Sequence, residues 1–152
     1  MNKAPMLSPG RVIGLAAPPF RGIIERVKVI EYAHALHLSN RIHFDRQAAI
    51  SQGYRDVVVP AGFINPFTLQ SRAAKFGTFC INERAALAGE WSWEPRLVIC
   101  AGDELHGNSV LVELGEKQGK RPMHVIVIET TYTNDAGEIA IVLRDTTLEF
   151  KE

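Results

Sequence analysis

The hydrophobic pattern of this chain changes its period at Gly77, and that change restricts the folds it can adopt. Before Gly77, apolar residues recur at helical spacing, and residues 61–77 present an apolar surface wide enough for a helix buried on most sides. After Gly77, β-branched runs are separated by turn signals at the spacing of antiparallel strands. Four strands are predicted, at 87–93, 104–116, 123–133 and 138–150. The pattern predicts an α+β domain in which one antiparallel sheet wraps a long buried helix.

Shorter elements are predicted ahead of this helix. A β-rich stretch at 20–26 leads into an amphipathic helix at 27–38. Asp45 is expected to cap a second helix that begins at Arg46, because its carboxylate would accept backbone N–H groups, and Gly53 is expected to end that helix.

Prolines interrupt two further segments. Pro60 ends a short buried strand predicted at 57–59. Pro66 falls inside the long helical pattern, and two arrangements are consistent with it. The helix either begins at Pro66, with Asn65 as its cap, or is kinked there.

Length and charge exclude several classes of protein. With 152 residues, the chain is predicted to form a single domain at 20–150 after an irregular, proline-rich arm at 1–19. Seventeen basic residues balance seventeen acidic ones, so the sequence lacks the positive charge typical of nucleic-acid-binding proteins. It also contains no apolar run long enough for a membrane span, and no signal peptide is recognised. Cys80 and Cys100 lack the spacing of a metal or redox pair, and we expect a cytoplasmic location.

Three of the five histidines fall within ten residues. His34 and His37 are one helical turn apart, and His43 and Asp45 are close enough in sequence to complete a metal site. The spacing is not that of a known structural metal site, and neither HExxH nor CxxC accompanies it. No metal is therefore predicted, and solvated or hydrogen-bonded histidines are the simpler interpretation.

The segment around these histidines resembles the hydratase motif of the MaoC-like family. This family contains the (R)-specific enoyl-thioester hydratases and 3-hydroxyacyl-thioester dehydratases of hot-dog fold. Its motif opens on an aromatic residue and Ala, and continues through Gly-Asp-x-Asn-Pro-aliphatic-His to an acidic residue and an Ala-Ala pair. The residues that match in register are Tyr32, Ala33, Asn40, Ile42, His43, Asp45, Ala48 and Ala49.

The resemblance covers about residues 20–150. Residues 53–63 are similar to the family's Gly-Tyr-x-x-aliphatic-Pro-Pro-Thr-Phe run, and residues 102–105 with the following strands are similar to its sheet half. The similarity is greatest to the N-terminal, fatty-acid-synthase-type dehydratase domain. It implies a hot-dog fold and hydro-lyase chemistry on enoyl or 3-hydroxyacyl thioesters. It implies no dissociable cofactor, because the CoA or acyl-carrier arm belongs to the substrate.

Leu38 stands where the motif carries its catalytic Asp. In the family, Asp and His hold the water and move protons, while Asn orients the site; here only His43 and Asn40 remain. Leucine cannot exchange a proton, so three interpretations stay open. A second hot-dog subunit supplies the missing carboxylate, His37 replaces it, or the chain binds an acyl thioester without converting it.

The resemblance also implies binding residues. Gly62 is assigned to the helix end that receives the thioester carbonyl, where backbone N–H groups favour developing negative charge; close packing alone is the other explanation for this glycine. The residues expected to contact the acyl chain or the CoA phosphates are Phe63, Ile64, Phe67, Arg41 and Arg55. A hydrophobic core and a solvated face are the simpler roles for these two groups.

Two other functions remain open. A hot-dog thioesterase would use a carboxylate or Gln on the buried helix, where Gln70 is the candidate. A catalytically silent acyl-thioester-binding or scaffold subunit is the second. Because a single sheet exposes its edges, a homodimer or a heteromer with a second hot-dog subunit is expected. Trp91 and Trp93 lie on the same side of a predicted strand, in a core or interface patch.

Overall fold

The computed structural model describes residues 11–151 and contains one five-stranded antiparallel sheet. The strands are β1 Phe20–Ile23, β2 Ala86–Pro95, β3 Glu104–Lys117, β4 Met123–Thr133 and β5 Ile139–Phe150. Their spatial order is β1-β3-β4-β5-β2, which leaves β1 and β2 at the edges. The four strands predicted after Gly77 are confirmed close to their expected bounds.

Four α-helices precede β2. They are α1 Arg26–Ala35, α2 Arg46–Ser51, α3 Ile64–Thr68 and α4 Arg72–Thr78. Asp45 caps α2 as predicted, since its side chain accepts hydrogen bonds from the backbone N–H groups of Gln47 and Ala48. Gly53 follows the end of this helix with a φ of +88°, a left-handed conformation that glycine adopts without steric cost.

The long buried helix is divided into short segments, which we call the central helical run (residues 61–78). A 3₁₀ turn at Ala61–Phe63 leads into α3, and a second one at Leu69–Ser71 separates α3 from α4. The interruption comes where hydroxyl groups compete for helix carbonyls: Thr68 donates to the Ile64 carbonyl and Ser71 to that of Thr68. Helix α3 begins at Ile64, so Asn65 lies inside the helix instead of capping it.

The central helical run packs against one face of the sheet. Its buried Phe67 contacts Phe20 of β1 and Tyr132 of β4, with ring centroids 6.2 and 5.9 Å away. Ile64 is also buried, and so is Leu143 on β5. These contacts confirm the expected α+β arrangement, with the main core between the helical run and the sheet.

Two predicted segments differ from expectation. Residues 57–59 make only an isolated bridge, between Val58 and Cys100, and do not form a strand of the sheet. The segment is too short to extend this pairing, because Pro60 follows it and has no N–H to donate. Of the predicted arm at 1–19, residues 1–10 lie outside the described part of the chain. Residues 11–19 are irregular apart from a bridge between Ala16 and Val110.

Strand β2 is exposed along almost all of its length. Trp91 and Trp93 expose 42% and 39% of their surface, so they do not belong to the core of this chain. One side of β2 pairs with β5, and the other is the open edge of the sheet. No helix in the described residues is both long and apolar enough to cross a membrane.

Asp56 holds the first two helices together. Its carboxylate accepts hydrogen bonds from Arg26 at the start of α1, from Arg46 at the start of α2 and from the Val57 backbone. The Arg26 hydrogen bonds are the main reason that the pKa of Asp56 falls to about 2. This carboxylate therefore fixes the two ends of the segment that carries the histidine motif.

Replacing Asp56 with Asn is expected to lower the free energy of unfolding by on the order of 1 kcal/mol at pH 7, since both arginines are about half exposed and screened. The folded-state pKa lies below the unfolded value, so this stabilisation is complete above about pH 4. It is lost as the pH falls toward 2. Urea unfolding of the two proteins between pH 7 and pH 2.5 measures the difference between their free energies of unfolding. Glu31→Gln, which removes an exposed carboxylate on α1, is the control. A difference in the free energy of unfolding that stays constant with pH would contradict a stabilising role for the ionised Asp56 carboxylate.

Candidate active site

His43 sits at the end of a 3₁₀ turn, Arg41–His43, that joins α1 to α2. Asn40 caps this turn, because its side-chain oxygen accepts a hydrogen bond from the Ile42 N–H at 3.2 Å. The Nδ1 atom of His43 lies 2.7 Å from the Val58 carbonyl oxygen. A carbonyl only accepts, so Nδ1 carries a proton, and in the neutral imidazole Nε2 then has the lone pair. The turn therefore presents a half-buried imidazole whose Nε2 can act as a base.

The motif positions just before this turn close the end of α1. The Leu38 N–H donates to the Ala33 carbonyl at 3.0 Å, and His37 between them has a φ of +51°. This is a Schellman-type helix end, whose left-handed position usually carries glycine, as the family motif does. His37 thus occupies a backbone position made for Gly, and its side chain is exposed. It makes no hydrogen bond or ion pair within residues 11–151.

Leu38 is half-buried and makes the last backbone hydrogen bond of this helix end. The local backbone therefore follows the motif although the carboxylate is missing. The described chain supplies one acid–base group at this point, His43, with Asn40 shaping the turn that carries it.

Gly62 lies at the beginning of the central helical run, directly under the hydroxyl of Tyr32. A Cβ atom at this position would be 2.5 Å from that oxygen. The Tyr32 ring in turn packs edge-on against Phe63, with centroids 5.5 Å apart. The Phe63 N–H donates to the Pro60 carbonyl, which leaves the N–H groups of Ala61 and Gly62 as those without an intrahelical acceptor. Close packing by itself accounts for a glycine here, and these N–H groups also form a suitable place for a developing anion.

An apolar cleft with a cavity volume of about 170 Å³ lies beside this helix start, and we call it the proximal cleft. Ala61 and Ile64 line one wall, Ile141 of β5 and Val98 line others, and Val58 connects it to His43 through the carbonyl described above. Of the three residues expected to form an acyl channel, Ile64 lines this cleft. Phe63 and Phe67 are buried in the main core.

Gln70 lies on a different side of the central helical run. Its side chain is exposed, and its Oε1 atom is 3.1 Å from the point where a Cβ on Gly22 of β1 would lie. The proximal cleft is bounded instead by β5 and the segment after β2. The residue that a thioesterase would require is therefore not placed at this cleft.

Both arginines expected to meet phosphates are held by carboxylates of this chain. Arg41 forms an ion pair with Asp45, and Arg55 makes a two-pronged contact with Asp103 at 2.9 Å. The N–H of Ala48 and the Arg41 guanidinium lower the pKa of Asp45. Arg41 and Arg55 remain largely exposed, but binding a phosphate there would compete with an existing ion pair. Among residues 11–151, no three His, Cys, Asp or Glu side chains are grouped so that they could hold a metal ion.

Comparison with known proteins identifies the family of this chain. The family described as "FAS1-like, dehydratase domain region" matches residues 11–142. The chain belongs to this family. It is 34% identical over 131 residues to the UPF0336 protein of Clavibacter michiganensis subsp. michiganensis, covering 84% of this chain and 83% of that one.

Solved structures place the family member among hot-dog proteins. The HadBC (3R-hydroxyacyl-ACP dehydratase) complex from Mycobacterium tuberculosis superposes with a TM-score of 0.76 at 22% identity, over 90% of this chain and 96% of that one. A MaoC-like dehydratase superposes with a TM-score of 0.79 at 28% identity, over 90% of this chain and 42% of the other. The expected single hot-dog domain and the MaoC-like resemblance are confirmed.

Two parts of the site in this FAS1-like dehydratase domain are not predicted from the sequence. The sequence indicates Tyr32 only as a motif residue, whereas the structure places its hydroxyl against Gly62. The sequence assigns no role to the Val58 carbonyl, which lies against His43 Nδ1. A backbone carbonyl has no sequence signature, because every residue carries one.

The contact between Tyr32 and Gly62 can be tested with a double-mutant cycle. We expect Gly62→Ala to lower the free energy of unfolding by about 1–3 kcal/mol, because its methyl group overlaps the Tyr32 hydroxyl. Tyr32→Phe alone is expected to have little effect. The combined variant should recover most of the loss, since the next nearest atom is 3.6 Å away. Urea unfolding at pH 7 gives the four values; additive effects would show that the methyl clashes elsewhere.

Proposed function

We propose that this chain is the acyl-binding subunit of a heteromeric (R)-specific enoyl-thioester hydratase or 3-hydroxyacyl-thioester dehydratase. The observation that carries the proposal is the motif turn itself. His43 is held in the tautomer that a base needs, while the acidic position of the same turn is Leu38. The chain supplies the histidine of an acid–base pair, and we propose that a second hot-dog subunit supplies the carboxylate.

The proposed chemistry adds water across the Cα–Cβ double bond of an enoyl thioester. His43 Nε2 accepts a proton from the water as its oxygen attacks Cβ, and Cα gains a proton as the addition is completed. Negative charge builds on the thioester oxygen during the attack, and we propose that the N–H groups of Ala61 and Gly62, which have no intrahelical acceptor, stabilise it. Dehydration is the reverse. The second proton-transfer group is the one that Leu38 cannot provide.

The open edge of the sheet supports a partner subunit. Strand β2 is ten residues long, pairs on one side only, and exposes Leu87, Trp91 and Trp93. Large exposed apolar side chains on a sheet edge favour association with another strand. The similar HadBC structure is itself described as a complex. We propose a second hot-dog subunit as the partner, with the acyl thioester held in the proximal cleft.

His43→Ala is expected to reduce hydratase activity of the assembled enzyme by on the order of 10²–10⁴-fold, the usual loss for a positioned acid–base group. Enoyl-CoA hydration, followed with the chain and its co-purified partner, measures the effect. His37→Ala is the matched control, and we expect its activity to be unchanged because that side chain is exposed at the end of α1. Loss of activity in the His37 variant would instead assign the second proton transfer to His37.

Leu38→Asp tests whether the missing carboxylate is the reason that the chain without a partner lacks hydratase activity. We expect this variant to hydrate crotonyl-CoA or a longer enoyl-CoA without a partner, while the wild-type chain alone does not. Leu38→Asn has the same shape and no acid–base group, so it should stay inactive. Because Leu38 is only half-buried, the new carboxylate keeps partial solvation, and folding is checked by circular dichroism.

A Leu38→Asp variant that folds and binds acyl-CoA, yet remains inactive, would contradict this account of the site. A wild-type chain that stays inactive with every co-purified partner would favour the catalytically silent binding subunit. Release of free thiol from acyl-CoA would favour a thioesterase.

A further inference from the structure

A second cleft lies between the central helical run and strands β2 and β5. We call it the distal cleft; its cavity volume is about 70 Å³. Helix α4 provides Lys75 and Phe76, strand β5 provides Leu143 and Asp145, and Trp91 of β2 closes one side. Neither the motif nor the proposed hydration chemistry uses any of these residues.

The two clefts follow one another along the same elements. On the helical run, Ile64 lines the proximal cleft and Asn65 lines the distal one. On β5, Ile141 lines the first, and Leu143 and Asp145, which point to the same face of the strand, line the second. At about 3.3 Å per residue, the step from Ile141 to Asp145 is roughly 13 Å, the length of about ten methylene groups. The length of a medium-length acyl chain therefore matches the separation along β5 of the residues that line the two clefts.

The distal cleft contains a buried ion pair. Lys75 exposes 4% of its surface, and its Nζ atom lies 3.5 Å from the Asp145 carboxylate. Burial lowers the pKa of Lys75 and raises that of Asp145, so both charges are held against a desolvation cost. An ammonium group has three donors, and this long contact uses at most one of them.

Two further polar groups lie at the distal cleft, an unpaired hydrogen-bond acceptor and a second cation. The Oδ1 atom of Asn65 is buried and has no hydrogen-bond partner among the described residues. The guanidinium of Arg72 stacks over the Phe76 ring at 4.7 Å and also lines the cleft. Two cations and one carboxylate leave an excess of positive charge. An alkyl chain placed here would desolvate these groups and satisfy none of them.

We propose that the distal cleft selects acyl thioesters that carry a hydroxyl group about ten carbons beyond the thioester. A hydroxyl suits this cleft because it both accepts and donates: its oxygen accepts from Lys75 Nζ, and its proton is donated to Asn65 Oδ1. A purely hydrocarbon chain makes neither bond, and a carbonyl makes only the first. This inference rests on the proposed binding of acyl thioesters and adds the class of acyl chain.

The test compares 12-hydroxydodecanoyl-CoA with dodecanoyl-CoA, using the full chain in the assembly in which it purifies. Isothermal titration calorimetry gives the two dissociation constants. We expect the hydroxylated ligand to bind about tenfold more tightly, as two buried hydrogen bonds would provide. Equal affinities would overturn this inference and leave the proposed function standing. Failure of both ligands to bind would overturn the proposed function as well.

Variants assign the preference to the ion pair. Lys75→Met/Asp145→Leu replaces both charges with apolar side chains of similar size, an exchange that buried pairs tolerate. We expect it to abolish or reverse the preference. Arg144→Gln/Glu129→Gln, which removes an exposed ion pair involving the opposite face of β5, should leave the preference unchanged. Asn65→Ala should reduce the preference severalfold, which keeps the inference testable if the double variant does not fold. Preference that persists in both cleft variants would overturn it.

Discussion

The packing of the central helical run on one face of a single sheet is the constraint on which this molecule depends. Ile64 and Phe67 are almost fully buried there, between the helical run and one face of the sheet. The start of the run lies beside the segment at 57–60, and its end lies against β5. The candidate site and both clefts occur along the margin of this interface.

The motif turn shows how a site keeps its shape after losing a functional group. The Schellman-type end of α1, the Asn40 cap and the His43 contact with Val58 are backbone features that do not need an acidic side chain at position 38. Leu38 can therefore replace the family's Asp without disturbing His43. His37, in a left-handed conformation, occupies the glycine position of the same helix end at a steric cost. The backbone of the motif turn is therefore compatible with a side chain at position 38 that carries no acid–base group.

Polar groups between the helical run and the sheet occur in two different situations. The Thr68 hydroxyl contacts Tyr132 and the Ile64 carbonyl, so its buried polar atoms are satisfied within the core. Lys75, Asp145 and Asn65 line the distal cleft instead: the Lys75–Asp145 contact is long at 3.5 Å, and the buried Oδ1 atom of Asn65 has no hydrogen-bond partner among the described residues. Burying charges in this way costs free energy unless their hydrogen bonds are completed. The Thr68 hydroxyl needs no further partner, whereas a ligand could complete the hydrogen bonds of Lys75, Asp145 and Asn65.

Sequence alone determined the fold class, the strands after Gly77, the Asp45 cap and the motif that contains His43. These features are local, because strand periodicity, capping side chains and motif spacing depend on residues that are close together in the sequence. The division of the central helical run was not predicted, because it depends on which carbonyls the hydroxyls of Thr68 and Ser71 reach. Only the tertiary structure brought Tyr32 onto Gly62, paired Arg55 with Asp103 and joined Lys75 to Asp145. Each of these contacts links residues at least thirty positions apart in the chain, and their distances follow from how separate elements pack together, which no local pattern specifies.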